Sequence, residues 1–382
     1  MITIPVESQL TEYLHSKAAW AGIALNGTFE LTPCCNMACK MCYVRMTKQQ
    51  QEEIAPLATA QQWLALAEEA KKQGMVYLLL TGGEPFLHPD LQQILSGLNQ
   101  MGLLVSINSN GTLITEEVVS WLKEVPPIRV NITLYGASDA TYERLCGNPQ
   151  GFTQTVRGIR LLKAAGIVVK INCSVTPYNA DDLEGIYAFA KQEGLLVQAS
   201  SYMFPPTRRD QGMVGWNDRL SAQEAAYQSA RITCLANGED YFLQQMKDRV
   251  PISLPGESGE DCPELPAEGE GIRCRAGKCS FWITWDGRIL PCGMFPGDDA
   301  ENVFEVGFEK GWEHVKEAAR AIRMPPKCSV CQMRDQCKAC AAMALTETGS
   351  FDKVPEYRCQ MTHAFENASK LLEHQIRQKR RG

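Results

Sequence analysis

Between residues 28 and 202 the chain alternates short apolar runs with longer stretches in which apolar residues recur every three or four positions. The short runs suit buried strands and the longer ones suit helices laid on a sheet, so the pattern predicts βα units building a parallel sheet. Strands are expected at 28–31, 76–80, 104–108, 129–134, 168–175 and 197–202, with helices at 60–73, 90–101, 115–123, 152–165 and 180–193. Six such units over about 175 residues fall short of the eight of a closed barrel. The expected form is therefore an open or partial barrel whose functional face lies at the C-terminal ends of its strands.

The pattern breaks at 251–272, where Pro, Gly, Glu and Ser accumulate as in a linker or surface excursion. This divides the chain into an N-terminal extension (1–26), the barrel (27–250), the linker (251–272), a second domain (273–365) and a C-terminal helix with a basic tail (366–382). Within the second domain, Asp286-Gly287 between two apolar runs predicts a hairpin that carries Cys292 at the end of its second strand. The basic cluster from Arg377 to Arg381 reads as a solvated tail rather than a binding patch.

With 382 residues, 45% hydrophobic, the chain can bury one or two sizeable cores. A net charge of -6 argues against nucleic acid or anionic membrane as a partner. No apolar run approaches the roughly 20 residues that span a bilayer. The N-terminus lacks the features of a signal peptide, so the expected compartment is the cytoplasm. There, 16 cysteines point to metal binding or catalysis, because reducing conditions disfavour structural disulfides.

The cysteines concentrate in two regions. Directly after the first strand, Cys35, Cys39 and Cys42 place three thiolates in one tight loop, enough to hold three irons of a [4Fe–4S] cube and leave the fourth open. A zinc loop is the alternative for such residues. Cys34, beside Cys35, would give a different gap and is read as packing. After the second strand comes Thr81-Gly82-Gly83-Glu84-Pro85, whose glycines permit close backbone approach and whose Glu can accept from an ammonium group.

The C-x-x-x-C-x-x-C loop followed by Gly-Gly-Glu-Pro one βα unit later resembles the radical SAM superfamily. The resemblance implies that the open iron binds the amino and carboxylate groups of S-adenosylmethionine, with Gly82, Gly83, Glu84 and Pro85 near its methionyl amine. It places Asn108 and Asn110 near the ribose, Arg144 against the carboxylate and Tyr43 in the adenine-side loop. Met41 stands where many relatives carry an aromatic residue before the third cysteine, which separates this loop from theirs.

From Cys274 onward, eight cysteines suffice for two four-thiolate sites, of iron or of zinc. Their order, with Gly287 and Cys292, then Cys328-x-x-Cys331, Cys337, Cys340 and Cys359, resembles the SPASM extension, which holds two auxiliary [4Fe–4S] clusters. That resemblance assigns Cys274, Cys279, Cys292 and Cys340 to the first auxiliary cluster and Cys328, Cys331, Cys337 and Cys359 to the second. The spacing from Cys337 to Cys340 is one residue shorter than in that pattern. The implied fold class is α/β, a partial (β/α)6 TIM-like barrel followed by a small cysteine-rich SPASM domain.

The resemblance further implies one-electron cleavage of S-adenosylmethionine to methionine and a 5′-deoxyadenosyl radical, which abstracts hydrogen from substrate under anaerobic conditions. Such enzymes act most often on peptides, so the expected reaction is a crosslink, thioether or epimerisation in a ribosomally made peptide. The expected partners are a flavodoxin- or ferredoxin-type electron donor and a separate leader-binding protein, since only about 30 residues precede the first strand where many peptide maturases carry a leader-binding module. A small molecule or tetrapyrrole-like precursor is the rival substrate, and a non-enzymatic electron carrier or zinc scaffold the rival role. A sulfatase-type oxidation is disfavoured because Gly293-Met294-Phe295 follow Cys292 where an acidic residue is expected. Cys146, Cys173 and Cys234 are read as small buried hydrophobes rather than hydrogen-atom donors.

Overall fold

A computed structural model describes residues 9–248 and 266–381. Six strands stand in chain order as a parallel sheet: β1 (Asn26–Glu30), β2 (Tyr77–Thr81), β3 (Leu104–Ser109), β4 (Arg129–Thr133), β5 (Val169–Ser174) and β6 (Val197–Ser200). The connecting helices include Ala60–Lys72, Leu91–Gln100, Glu116–Glu124, Gly151–Ala164 and Leu183–Glu193, each within three residues of the stretch its periodicity predicts. Thr59 and Thr115 accept from the backbone three residues on, satisfying donors that an α-helix leaves orphaned at its start. The sheet does not close, so the fold is an α/β partial barrel.

Alternation along the strands sorts side chains by chemistry. Val105, Ile107, Val130 and Ile132 pack with Trp63, Ile94 and Leu98 of the helices in one apolar core. The opposite face carries Asn108, Thr133, Asn172 and Ser174, which line a cavity. A closed barrel fills this concave side with branched apolar residues, whereas here it is polar and open.

Beyond residue 265 the chain returns to the same sheet. Strand β7 (Ser280–Ile283) pairs parallel with β1, Asn26 opposite Ser280, and β8 (Ile289–Leu290) folds back antiparallel. The predicted hairpin is present, with Gly287 at φ +89°. Phe308 and Trp312, from the helix Phe308–Ala321, enter the barrel core, the Phe308 ring 4.7 Å from that of Phe281. The cysteine-rich region and the barrel thus share one hydrophobic core through β7.

One difference from the sequence reading concerns the C-terminus. The terminal helix runs Glu356–Lys379, ten residues earlier than expected, and includes Cys359. Its basic end is partly anchored: Arg380 pairs with Glu239 and Asp240 at 2.9 and 2.8 Å. The acidic first turn of the helix Glu239–Lys247 supplies these partners. Of the expected linker, 251–265 lies outside the described residues, as do 1–8 of the N-terminal extension. Among the described residues no helix is long and apolar enough to cross a membrane.

Candidate functional site

The loop after β1 and the turn after β2 interlock through their backbones. Gly83 N donates to Thr32 O at 2.7 Å and Glu84 N to Cys34 O at 2.9 Å. Gly82 sits at φ +139°, and a Cβ on Gly83 would lie 2.3 Å from the Cys34 carbonyl oxygen and 2.6 Å from that of Pro33. Only glycine allows this approach. The C-terminal end of the helix Asp139–Cys146 holds the other side of the loop: Ala38 N donates to Cys146 O at 2.7 Å and Lys40 N to Leu145 O at 3.1 Å.

Held this way, Cys35, Cys39 and Cys42 line one cavity of about 310 Å³, together with Gly82, Gly83, Tyr43, Asn108 and Asn110. Cys34 is not among its lining residues. Among the described residues no three His, Cys, Asp or Glu side chains converge tightly enough for a single metal ion. The three thiols instead surround a space, the arrangement a polynuclear cluster needs.

The environment of the three thiols keeps them protonated in the absence of metal. Burial pushes the Cys35 thiol up to about 12, with Glu84, Cys39 and Cys42 adding to the rise. Cys39 is raised by its hydrogen bond with Cys146 and then by burial, and Cys42 by burial. Such thiols ionise only against a compensating metal charge. Donors for the resulting thiolates are in place: Met37 N to Cys35 Sγ at 3.4 Å, Arg45 N to Cys42 Sγ at 3.3 Å, and the Asn110 amide to Cys35 Sγ at 3.8 Å. Two buried polar atoms in this region, Arg45 Nε and Asn172 Oδ1, have no protein partner. Orphaned donors and acceptors of this kind fit a site that takes an anionic cluster and a hydroxyl-bearing ligand.

Glu84 is fully buried. Its carboxylate accepts from Ser109 Oγ (2.9 Å), Asn110 N (2.8 Å) and Phe86 N (3.2 Å), tying the end of β3 to the turn after β2. Burial raises its pKa to about 7 against these bonds. Three acceptances leave one lone-pair direction of the two oxygens unused, and neither Glu84 nor Pro85 lines the cavity. Pro85 opens the short helical turn that follows. Arg144 is aimed elsewhere, donating to Thr141 Oγ1 at 3.2 Å and the Tyr178 carbonyl at 3.5 Å, and does not line the cavity.

Several lining residues carried no sequence motif: Thr133, Tyr135, Asn172, Ser174 and Met203. For Thr133, Asn172 and Ser174 the signal was the polar half of the strand alternation near each C-terminal end, whereas Tyr135 and Met203 lie just beyond the ends of β4 and β6. Cys146, Cys173 and Cys234 are buried and do not line the cavity.

Two further groups of thiols form beyond the barrel. Cys328, Cys331, Cys337 and Cys359 line one pocket with Arg334 and His363. Burial raises Cys328 to about 11, with Cys337, Cys331 and Cys359 contributing. Cys274 and Cys292 line a larger cavity of about 700 Å³, and Cys274 and Cys340 a neighbouring one of about 310 Å³. Cys279 is fully buried beside Ala18 and Leu25 and lines neither of these two cavities.

A buried ion pair stands between the first site and the larger cavity. Arg208 grips Glu30 through two bonds of 2.7 and 2.8 Å, and Trp282 Nε1 donates to the same carboxylate at 2.7 Å. Arg208 also donates to Gly293 O at 2.7 Å and lies 5.6 Å from the Tyr43 ring.

Residues 29–190 match the family described as the Radical SAM superfamily. The chain is 27% identical over 338 residues to the AdoMet-dependent heme synthase of Methanosarcina barkeri, covering 85% of this chain and 93% of that protein. It is 28% identical over 342 residues to the mycofactocin maturase MftC of Mycolicibacterium smegmatis, covering 87% and 81%. The crystal structure of Streptococcus suis SuiB bound to precursor peptide SuiA has the same fold, with a TM-score of 0.66 at 18% identity over 91% of this chain and 79% of that one.

Proposed function

The chain is an enzyme with a radical SAM domain and a SPASM-type cysteine-rich region behind it, and from that premise we propose that it abstracts hydrogen from a peptide and so modifies a ribosomally made substrate. Its cofactors are [4Fe–4S] clusters and S-adenosylmethionine. In this reading Cys35, Cys39 and Cys42 hold the cluster that binds S-adenosylmethionine, and Cys328, Cys331, Cys337 and Cys359 hold the second auxiliary cluster. Bound there, the reduced cluster would supply one electron and S-adenosylmethionine the radical chemistry that removes a hydrogen atom from substrate.

The chain's own residues orient and shield. The backbones of Gly82 and Gly83 leave room beside the cysteine loop, and Glu84 offers its remaining lone pair to a cofactor ammonium. Asn108, Asn110, Thr133 and Asn172 present polar groups to a sugar, while Met41, Tyr43 and Met203 keep water from the wall. Arg144 would need to turn from Thr141 to reach a carboxylate. A flavodoxin- or ferredoxin-type protein supplies the electron, a separate protein binds the leader, and the cytoplasm is the working compartment.

The observation that carries the peptide reading is that, among the described residues, no Arg, Lys or His lines the 310 Å³ cavity. A tetrapyrrole bearing several carboxylates would need cations beside the reacting carbon. A second reading, a carboxylate-bearing small molecule, is favoured by Arg273, Arg275 and Lys278 around the larger cavity. The two are separated by incubating the reduced enzyme and S-adenosylmethionine with deuterated peptides encoded beside its gene, or with a deuterated tetrapyrrole. Deuterium in 5′-deoxyadenosine and a changed peptide mass support the first. Transfer from the tetrapyrrole alone overturns it.

A further inference from the structure

We propose that Arg209 is a positioning residue of the first site: presented by a stiff turn after β6, it holds the Cys42 carbonyl and places its positive charge beside the cysteine loop, raising the reduction potential of the cluster bound there. This rests on the cluster reading above, for the three thiols of the barrel alone.

The turn is stiff by composition. The rings of Pro205 and Pro206 fix two successive φ angles. Backbone bonds then close the turn: Thr207 N donates to Pro205 O at 2.9 Å, Arg209 N to Pro206 O at 3.0 Å and Asp210 N to Pro206 O at 3.2 Å. Pro205, Pro206 and Thr207 are buried, so the turn is embedded in the fold. Asp210 directs its carboxylate back onto its own chain, accepting from Gly212 N at 2.8 Å.

Two neighbouring arginines leave this turn for different partners. Arg208 goes inward, where its bidentate pair with Glu30 cancels both charges and Gly293 O accepts a further bond at 2.7 Å. On the far side, Gln211 Nε2 donates to Asp298 at 2.6 Å. Held between these anchors, Arg209 Nη1 donates to the Cys42 carbonyl at 2.9 Å. Among the described residues Arg209 takes part in no ion pair, so its charge is not cancelled as that of Arg208 is.

Cys42 is thus gripped at two points, by Arg45 N on its sulfur at 3.3 Å and by Arg209 on its carbonyl. The charge also reaches the thiol: burial pushes Cys42 up, and Arg209 pulls against it. Reduction adds a negative charge to a cluster, and a fixed cation stabilises the reduced form more than the oxidised one. Arg209 is exposed, so salt screens its charge. The screening length falls from about 10 Å at 0.1 M to about 3 Å at 1 M. An effect carried only by the bond to the Cys42 carbonyl would not respond to salt in this way.

The test uses the full chain, reconstituted anaerobically, with the first cluster identified as the reduced paramagnetic signal that changes on addition of S-adenosylmethionine. A charge series at this one exposed position, Arg209→Lys, Arg209→Gln and Arg209→Glu, is titrated potentiometrically in about 0.1 M and about 1 M KCl. Arg209→Lys should keep a midpoint near that of wild type, Arg209→Gln should lower it and Arg209→Glu should lower it further. The spread should shrink by about half or more at the higher salt. Iron per chain reports whether Cys42 remains a ligand. Loss of about four irons in Arg209→Gln and Arg209→Glu but not in Arg209→Lys would also support the inference, since the charge would then be needed to hold the loop. Equal midpoints in all four proteins, or an equal fall in all three variants that salt leaves unchanged, would overturn it. So would loss of the same irons in Arg209→Lys. A reduced wild type with no signal that responds to S-adenosylmethionine would instead overturn the cluster reading.

Discussion

Replacing Arg208 by Met should destabilise the fold more than any surface change. The Arg208 side chain is 7% exposed and that of Glu30 0%, so each is charged in a medium that penalises charge. The pair is bidentate, with Oε1 and Oε2 each taking one guanidinium nitrogen. Removing one partner of such a pair costs about 3–5 kcal/mol because the other is left buried and uncompensated. Trp282 keeps one bond to Glu30, which places the cost at the lower end. With an unfolding entropy of about 2.1 cal/mol/K per residue, a chain of 382 residues loses roughly 4 °C of melting temperature. The double variant Glu30→Gln/Arg208→Met removes both charges and should recover most of that loss, because neutralising a buried pair is far less costly than breaking it. Calorimetry of anaerobic protein with matched iron content reads both. An Arg208→Met melting temperature within 1 °C of wild type, or a double variant no better than the single, would refute the reasoning.

Other outcomes follow from the same geometry. Gly83→Ala puts a methyl 2.3 Å from the Cys34 carbonyl oxygen, so it should cost about 1–3 kcal/mol and lower iron at the first site while leaving the auxiliary irons in place, as iron analysis would show. Asn110→Ala removes an amide donor to Cys35 Sγ, which stabilises the more negative, reduced cluster, so the first cluster's reduction potential should fall in a potentiometric titration followed by electron paramagnetic resonance. His88 is buried, donating from Nε2 to Ala58 O and accepting from Asp90 N at Nδ1, and burial lowers its pKa. The unfolded chain therefore takes up this proton first, and stability should fall as pH drops below about 6.5. Melting temperatures across pH 7 to 5 should show this slope in wild type and a shallower one in His88→Gln.

Local rules carried the barrel. Alternation in 104–108 and 168–175, and helical periodicity in 60–73, specify elements whose hydrogen bonds close within a few dozen residues, and these appear within three residues of expectation. The cysteine loop was legible for the same reason, since three thiols within eight residues must share one neighbourhood. What escaped depends on distant pairing. Nothing near Ser280 announces that its strand joins β1, some 250 residues earlier in the chain, or that Trp282 will meet Glu30. Cys279 shows the same limit: its spacing groups it with the other thiols, while its packing beside Ala18 of the helix Gln9–Ala21 is a contact that nothing near it in the chain announces. The helix start at Glu356 was hidden because Pro355 and Cys359 resemble a loop until the Arg380 ion pairs and the packing against Ala222–Asn237 are seen.

The central claim is tested most directly by metal and product analysis of anaerobically reconstituted full-length protein. Iron and sulfide are measured per chain, followed by 5′-deoxyadenosine after reduction with S-adenosylmethionine. About twelve irons with matching sulfide and release of 5′-deoxyadenosine is the predicted result. Zinc in place of iron, with S-adenosylmethionine recovered intact, would contradict it.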